Sequence, residues 1–185
     1  MKSVLAVCVS ALSLAVASAG LAQSFPTPDQ ILPPAPAWKG RSERLIARPN
    51  DPWITPAERS GLTATPTYAE TRAFIDRMDA ASPLIRQQVF GRTAQGRELV
   101  AVIVSKDGER PDPSKPVLLA QAGIHSGEID GKDAGLMLVR DIAFRGKDGL
   151  LDRVNLVFVP IFNADGHERS GPYNRPNQRG PVAQG

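Results

Sequence analysis

Gln121-Ala122-Gly123-Ile124-His125-Ser126-Gly127-Glu128-Ile129-Asp130-Gly131 is the stretch on which the reading of the fold turns. It follows Pro116-Val117-Leu118-Leu119-Ala120, an apolar run that reads as a buried strand. It precedes Lys132 to Ile142, where Leu136, Leu138, Val139 and Ile142 read as the apolar face of a helix. His125 and Glu128 therefore sit where a strand ends and a helix begins. In an open α/β sheet that carboxyl end is where ligands bind. An imidazole and a carboxylate so close in the chain can both reach one cation. Gly123 and Gly127 remove the side chains that would oppose so tight a bend. The pair reads as two ligands of a divalent metal.

On the N-terminal side, Thr67 with Glu70 forms a capping box for a helix running to about Ala81. Tyr68, Thr71, Phe74, Ile75 and Met78 fall on one side of it, and Pro83 prevents continuation. Ile85 to Phe90 and Leu99 to Ser105 are two β-like runs joined by Gly91-Arg92-Thr93-Ala94-Gln95-Gly96, a hairpin with a glycine-containing loop. Lys106 to Lys115, with Pro111 and Pro113, reads as a surface connection. On the C-terminal side the helix closes at Gly146 to Gly149, and Val154 to Phe162 is a further buried strand. Strand, helix, strand is a crossover unit, which favours a parallel pair. The expected fold is α/β, a mixed and mostly parallel sheet flanked by helices. Arg169 to Gly185 is turn-rich and lacks a closing element, so the fold is expected to be incomplete at its C-terminus, with one sheet face only partly covered.

Three segments result: 1–22, 23–66 and 67–185. In the first, Lys2 precedes an apolar stretch from Val4 to Ala17, and small residues offer cleavage after Ala19 or Ala22. That is the pattern of a cleaved secretory signal, too short for a membrane span. It implies a secreted or periplasmic protein with no stable membrane insertion after cleavage. The 23–66 arm is rich in proline and reads as a loosely packed leader, with Trp38 and Trp53 available to pin it. Cys8, the only cysteine, lies within the signal, so a mature chain has neither disulfides nor thiolate ligands. A net charge of +3 without a Lys/Arg cluster does not indicate nucleic acid.

A catalytic zinc site takes three protein ligands and leaves one position open, with nitrogen and carboxylate donors favoured. His125 and Glu128 supply two of these. The bland reading makes His125 a hydrogen-bonded loop residue and Glu128 a carboxylate in the first turn of a helix. His167, the only other histidine, reads as a hydrogen-bonded turn residue before it reads as the third ligand. Asp130 and Asp133 are explained by the helix dipole. Arg169, Arg175 and Arg179 read as exposed loop residues, with a substrate carboxylate as the rival explanation.

Gly123-Ile124-His125-Ser126-Gly127-Glu128 resembles the zinc-binding signature of the carboxypeptidase A-type zinc carboxypeptidases. Pro160-Ile161-Phe162-Asn163-Ala164-Asp165-Gly166 resembles that family's Pro-x-x-Asn-Pro-Asp-Gly stretch, with Ala164 in place of proline. Gly91-Arg92-Thr93…Gly96-Arg97 resembles its Gly-x-(Ser/Thr)-x-(Glu/Gln)-Gly-Arg hairpin. Order and spacing agree from about Thr67 to Gly185. The resemblance implies a three-layer fold, Zn2+ held by His125 and Glu128, and hydrolysis of a peptide or peptide-like substrate near its C-terminus. The family's third ligand, general-base glutamate and carboxylate-gripping arginines are expected beyond Gly185, so this chain is expected to be a fragment, with weak zinc affinity and little activity. Two other readings stay open: an N-acyl amino acid amidohydrolase with the same metal-site type, and a non-catalytic envelope binding module on the same scaffold.

Overall fold

The computed structural model describes residues 40–108 and 112–169, all within one compact unit, Pro36–Gly185. The signal segment, Trp38, Arg175 and Arg179 lie outside the described residues. Four strands, β1 (Ile85–Arg92), β2 (Glu98–Val104), β3 (Val117–Gln121) and β4 (Asn155–Val159), form one sheet in the order β1-β2-β4-β3. The sheet is mixed. β1/β2 and β2/β4 are antiparallel, and the crossover pair β3/β4 is parallel. The helices are α1 (Pro56–Arg59), α2 (Tyr68–Ala81), α3 (Asp130–Phe144) and α4 (Ala164–His167), with 3-10 turns at Arg41–Leu45 and Asp148–Asp152.

Local signals act as expected in α2. Thr67 Oγ1 accepts the Glu70 N–H at 3.2 Å while Glu70 Oε2 accepts the Thr67 N–H at 2.9 Å, closing the box that satisfies two otherwise orphaned donors. Thr71, Phe74, Ile75 and Met78 are the buried stripe. The hairpin carries an irregularity between Val89 and Gly91. In register, Val102 faces Phe158 and Val104 faces Leu156, so one sheet face presents these four to Phe74, Ile75 and Met78 of α2 and Leu136, Val139 and Ile142 of α3. Both long helices cover that same face. On the other, Ala101, Ile103 and Val157 are half-buried, and no second helical layer stands there among the described residues.

Two expectations are corrected. β3 is not buried: Val117, Leu118 and Leu119 are 59%, 56% and 59% exposed. Among the described residues β3 is an edge strand, paired with β4 alone, so an apolar run that would suit the middle of a covered sheet stays open. Leu138 also leaves the helix face, at 41% exposure. Leu136, Val139 and Ile142 repeat every third residue along one stripe, and Leu138 lies well off it at 100° per residue.

The close contact between α3 and the sheet depends on Gly135. A Cβ there would lie 2.2–2.9 Å from ring atoms of Phe158, itself buried in the core. Gly135→Ala gains up to about 1 kcal/mol in helix propensity, but overpacking costs roughly 1–3 kcal/mol. We expect a net loss of stability in urea titration; a variant more stable than the parent would show that helix and strand separate freely.

The arm is not a loose leader over residues 40–66. Thr55-Pro56-Ala57-Glu58 forms a second capping box with proline in the first helical turn. Trp53 stacks on Phe144 with centroids 3.8 Å apart and 9° between planes, and the Arg77 guanidinium lies 4.5 Å above Trp53. Glu58 reaches Arg140 of α3 through two hydrogen bonds of 2.7 and 3.1 Å, with both side chains out of solvent.

Candidate metal centre

β3 ends at Gln121, and the chain bends at once. The Ala122 N–H donates to Val159 O, Phe162 N–H to Ala122 O and Asn163 N–H to Gly123 O, at 2.9, 3.1 and 2.8 Å. The loop leaving β3 and the loop leaving β4 are thus laced together. Gly123 has φ +59°, and a Cβ on it would meet Ile161 Cα and Pro160 O at 3.2 Å. Gly127 has φ +80°. Both glycines occupy the left-handed region, where a side chain is strained.

The bend brings His125 Nδ1 to 2.8 Å from Glu128 Oε1. The side chains are 53% and 34% exposed, so the pair faces outward at the carboxyl ends of β3 and β4. Metal–donor bonds of about 2.0–2.2 Å in a tetrahedral site put neighbouring donors roughly 3.3–3.5 Å apart. The pair needs to open by about half an ångström to take zinc, a motion that exposed side chains allow; the nitrogen-plus-carboxylate set suits the ion. Among the described residues no group of three His, Cys, Asp or Glu side chains is arranged to hold a metal, so His167 is not gathered with the pair. It lies in the turn after β4 with its side chain 7% exposed, and its Nδ1 is 3.0 Å from Glu168 Oε1. Burial and the nearby Lys132 ammonium hold its pKa below the ordinary value, against the pull of Glu168.

Several supporting residues carried no signal that the sequence reading used. Lys132, fully buried in the first turn of α3, donates from Nζ to Pro66 O at 2.8 Å and lies 3.2 Å from Asp133 Oδ1. Burial lowers its pKa, and Asp133, Glu168 and Glu70 oppose that shift. Asp133 accepts the Thr65 hydroxyl at 2.7 Å, so it ties the arm to α3 besides complementing the helix dipole. Glu168 accepts the Tyr68 N–H at the start of α2 at 2.8 Å. Thr65, Pro66, Thr67, Gly127, Ile129 and His167 line a cavity of about 110 Å³ beside the pair. Arg169 is exposed, and its carbonyl accepts the Ser126 hydroxyl at 3.3 Å.

Asp165 joins the other two motifs. Its Oδ1 accepts from Thr93 Oγ1 at 2.8 Å and Arg97 Nη1 at 2.7 Å, and its Oδ2 from the Gln95 N–H at 3.1 Å. Desolvation raises its pKa, but these donors outweigh it and leave the carboxyl below its ordinary value. Asn163 Oδ1 caps the Gly166 N–H at 2.9 Å, and a Cβ on Gly166 would fall 2.5 Å from that same side chain.

A mixed α/β sheet carries a His–Glu pair where its parallel strands end, an arrangement of the α/β class with its candidate site at the strand ends. The profile of the zinc carboxypeptidase family matches residues 71–183, and the chain belongs to that family. It is 26% identical over 108 residues to the inactive metallocarboxypeptidase ECM14 of Saccharomyces cerevisiae, covering 55% of this chain and 25% of that protein. Carboxypeptidase A from Helicoverpa armigera superposes with a TM-score of 0.52 at 21% identity, over 56% of this chain and 25% of that one. Bovine thrombin-activatable fibrinolysis inhibitor, solved in complex with tick carboxypeptidase inhibitor, gives a TM-score of 0.50 at 21% identity, over 57% and 33%. The solved structures establish the fold. The chain spans a quarter to a third of the length of these proteins.

Proposed function

We propose that the chain is the N-terminal part of a secreted or periplasmic zinc metallocarboxypeptidase that hydrolyses a peptide bond near the C-terminus of a peptide substrate. The observation that supports this most is the 2.8 Å approach of His125 Nδ1 to Glu128 Oε1 at the strand ends in a member of the zinc carboxypeptidase family. His125 and Glu128 would hold zinc, which when bound acidifies a water and polarises the carbonyl under attack. The chain's own residues orient the donors. Gly123 and Gly127 supply the bend, and the hydrogen bond from Asn163 N–H to Gly123 O fixes its start. The third ligand, general base and carboxylate-binding arginines are expected beyond Gly185. Among the described residues no helix is long and apolar enough to cross a membrane.

The test is zinc titration and hydrolysis of a C-terminal peptide reporter by the product of the whole reading frame. Stoichiometric zinc binding and turnover are expected, with both lost in His125→Ala. A whole product that stays metal-free after reconstitution would sink the reading. A second reading, a non-catalytic binding module, is favoured by the inactive yeast relative; peptide binding with no turnover at full zinc occupancy would select it.

A further inference from the structure

Asp165 lies too far along the chain from His125 for the two to share a local motif, and nothing in a zinc site requires it. Yet every acceptor atom of its carboxylate is used on one target. Thr93, Gln95 and Arg97 all belong to the β1–β2 hairpin loop. The turn that carries Asp165 starts at Asn163, whose N–H donates to Gly123 O at 2.8 Å, two residues before His125. That turn has little slack: Gly166 is packed against Asn163, and Gly123 against Pro160 and Ile161. The contacts form a rigid series from the hairpin through Asp165 and Asn163 to Gly123 and the loop bearing His125 and Glu128.

We propose that Asp165 is a positioning residue for the His125–Glu128 loop, acting by anchoring the 163–166 turn to the hairpin. This explains why the three stretches occur together: the hairpin and the Asn-Ala-Asp-Gly turn support the His-x-x-Glu loop mechanically. Removing the carboxylate frees the turn, and the bond from Asn163 N–H to Gly123 O then opens more often. The donor pair samples wider separations and holds a metal less tightly. Partners that orient ligands without touching the metal commonly change affinity by roughly 10–100-fold; the longer route here places the expectation at the lower end. The zinc consequence rests on the function proposed above. The anchoring itself does not.

The experiment compares the 185-residue chain with Asp165→Asn, Arg97→Gln and Thr93→Ser, using residue-resolved amide hydrogen exchange and titration with zinc ion alone. In Asp165→Asn the Asn163 and Phe162 amides are expected to exchange roughly tenfold faster or more, while the core β2 amides of Val102 and Val104 keep their rates, since local opening and global unfolding are separable in exchange. Zinc affinity is expected to fall about tenfold. Arg97→Gln, which removes one donor and keeps the carboxylate, is expected to give a smaller change of the same pattern, and it serves if Asp165→Asn does not fold. Thr93→Ser retains the hydroxyl and is expected to match the parent. Unchanged exchange at Asn163 in both Asp165→Asn and Arg97→Gln overturns the proposal. So does an equal rise at Val102 and Val104, which would mark Asp165 as a general stabiliser. If the 185-residue parent binds no zinc, as a chain carrying only two of the three ligands can, the exchange pattern still decides the role of Asp165, and the metalloenzyme reading is decided by the whole reading-frame product.

Discussion

Arg140→Met is expected to remove about 3–5 kcal/mol of folding stability, the usual cost of taking one partner from a buried ion pair. Arg140 is wholly buried and contacts Glu58 at 2.7 and 3.1 Å, Asp141 at 2.6 Å and the carbonyls of Trp53 and Leu45. Glu58 also accepts the Ala47 N–H at 2.7 Å and the Thr55 N–H at 2.8 Å. Without the guanidinium, a carboxylate stays buried with no counter-charge. Glu58→Gln/Arg140→Met keeps an acceptor and removes the charge, and is expected to recover part of the loss. Urea denaturation checks both, and a single variant within about 1 kcal/mol of the parent would show that the arm is not held by this pair.

The pH dependence has a definite sign. Burial raises the pKa of Glu58, but the Arg140 guanidinium and the N–H donors bring it below its ordinary value. A carboxylate depressed on folding contributes stability that is full above its unfolded value, about 4.3, and lost as pH falls through the folded value. In Arg140→Met that depression disappears. The deficit relative to the parent is therefore expected to be largest near neutrality and to shrink under acid.

Gly123→Ala carries the second large effect. The backbone at φ +59° strains a side chain by roughly 1–2 kcal/mol, and the new Cβ meets Ile161 Cα and Pro160 O at 3.2 Å. Neither atom is the end of a flexible side chain, so the loops must part. We expect a total loss of about 2–4 kcal/mol and faster exchange at Asn163. Gly96 is the control. Its φ is +83°, but nothing lies within 4 Å of a Cβ placed there, so Gly96→Ala is expected to cost only the backbone strain. Equal costs at the two positions would show that the close approach at Gly123 is unimportant.

Much of the architecture could be read locally. Thr67 and Glu70 mark the start of α2 because a capping box needs only neighbours in sequence, and the hairpin announces itself by two β-like runs around a glycine loop. The same signature stands in the arm as Thr55-Pro56-Ala57-Glu58, but the surrounding prolines mask it by giving the segment the composition of an unpacked leader. The His125–Glu128 proximity was legible for the same local reason, three residues and two glycines. Asp165 could be matched to a motif, but its partners lie about 70 residues away, and no local pattern states that distance.

The sequence by itself determined the elements whose causes are short-range: caps, periodic faces, the bend at Gly123 and Gly127, and membership of a family through motifs in order. Tertiary structure alone decided that β3 is an open edge among the described residues, that Leu138 faces outward, that Arg140 and Lys132 are buried, and that Asp165 grips the hairpin. The physical reason is that burial and long-range pairing depend on which surfaces meet. An apolar strand looks the same in a chain whether a neighbour covers it or not, and a charge shows its partner only after folding has closed the loop between them.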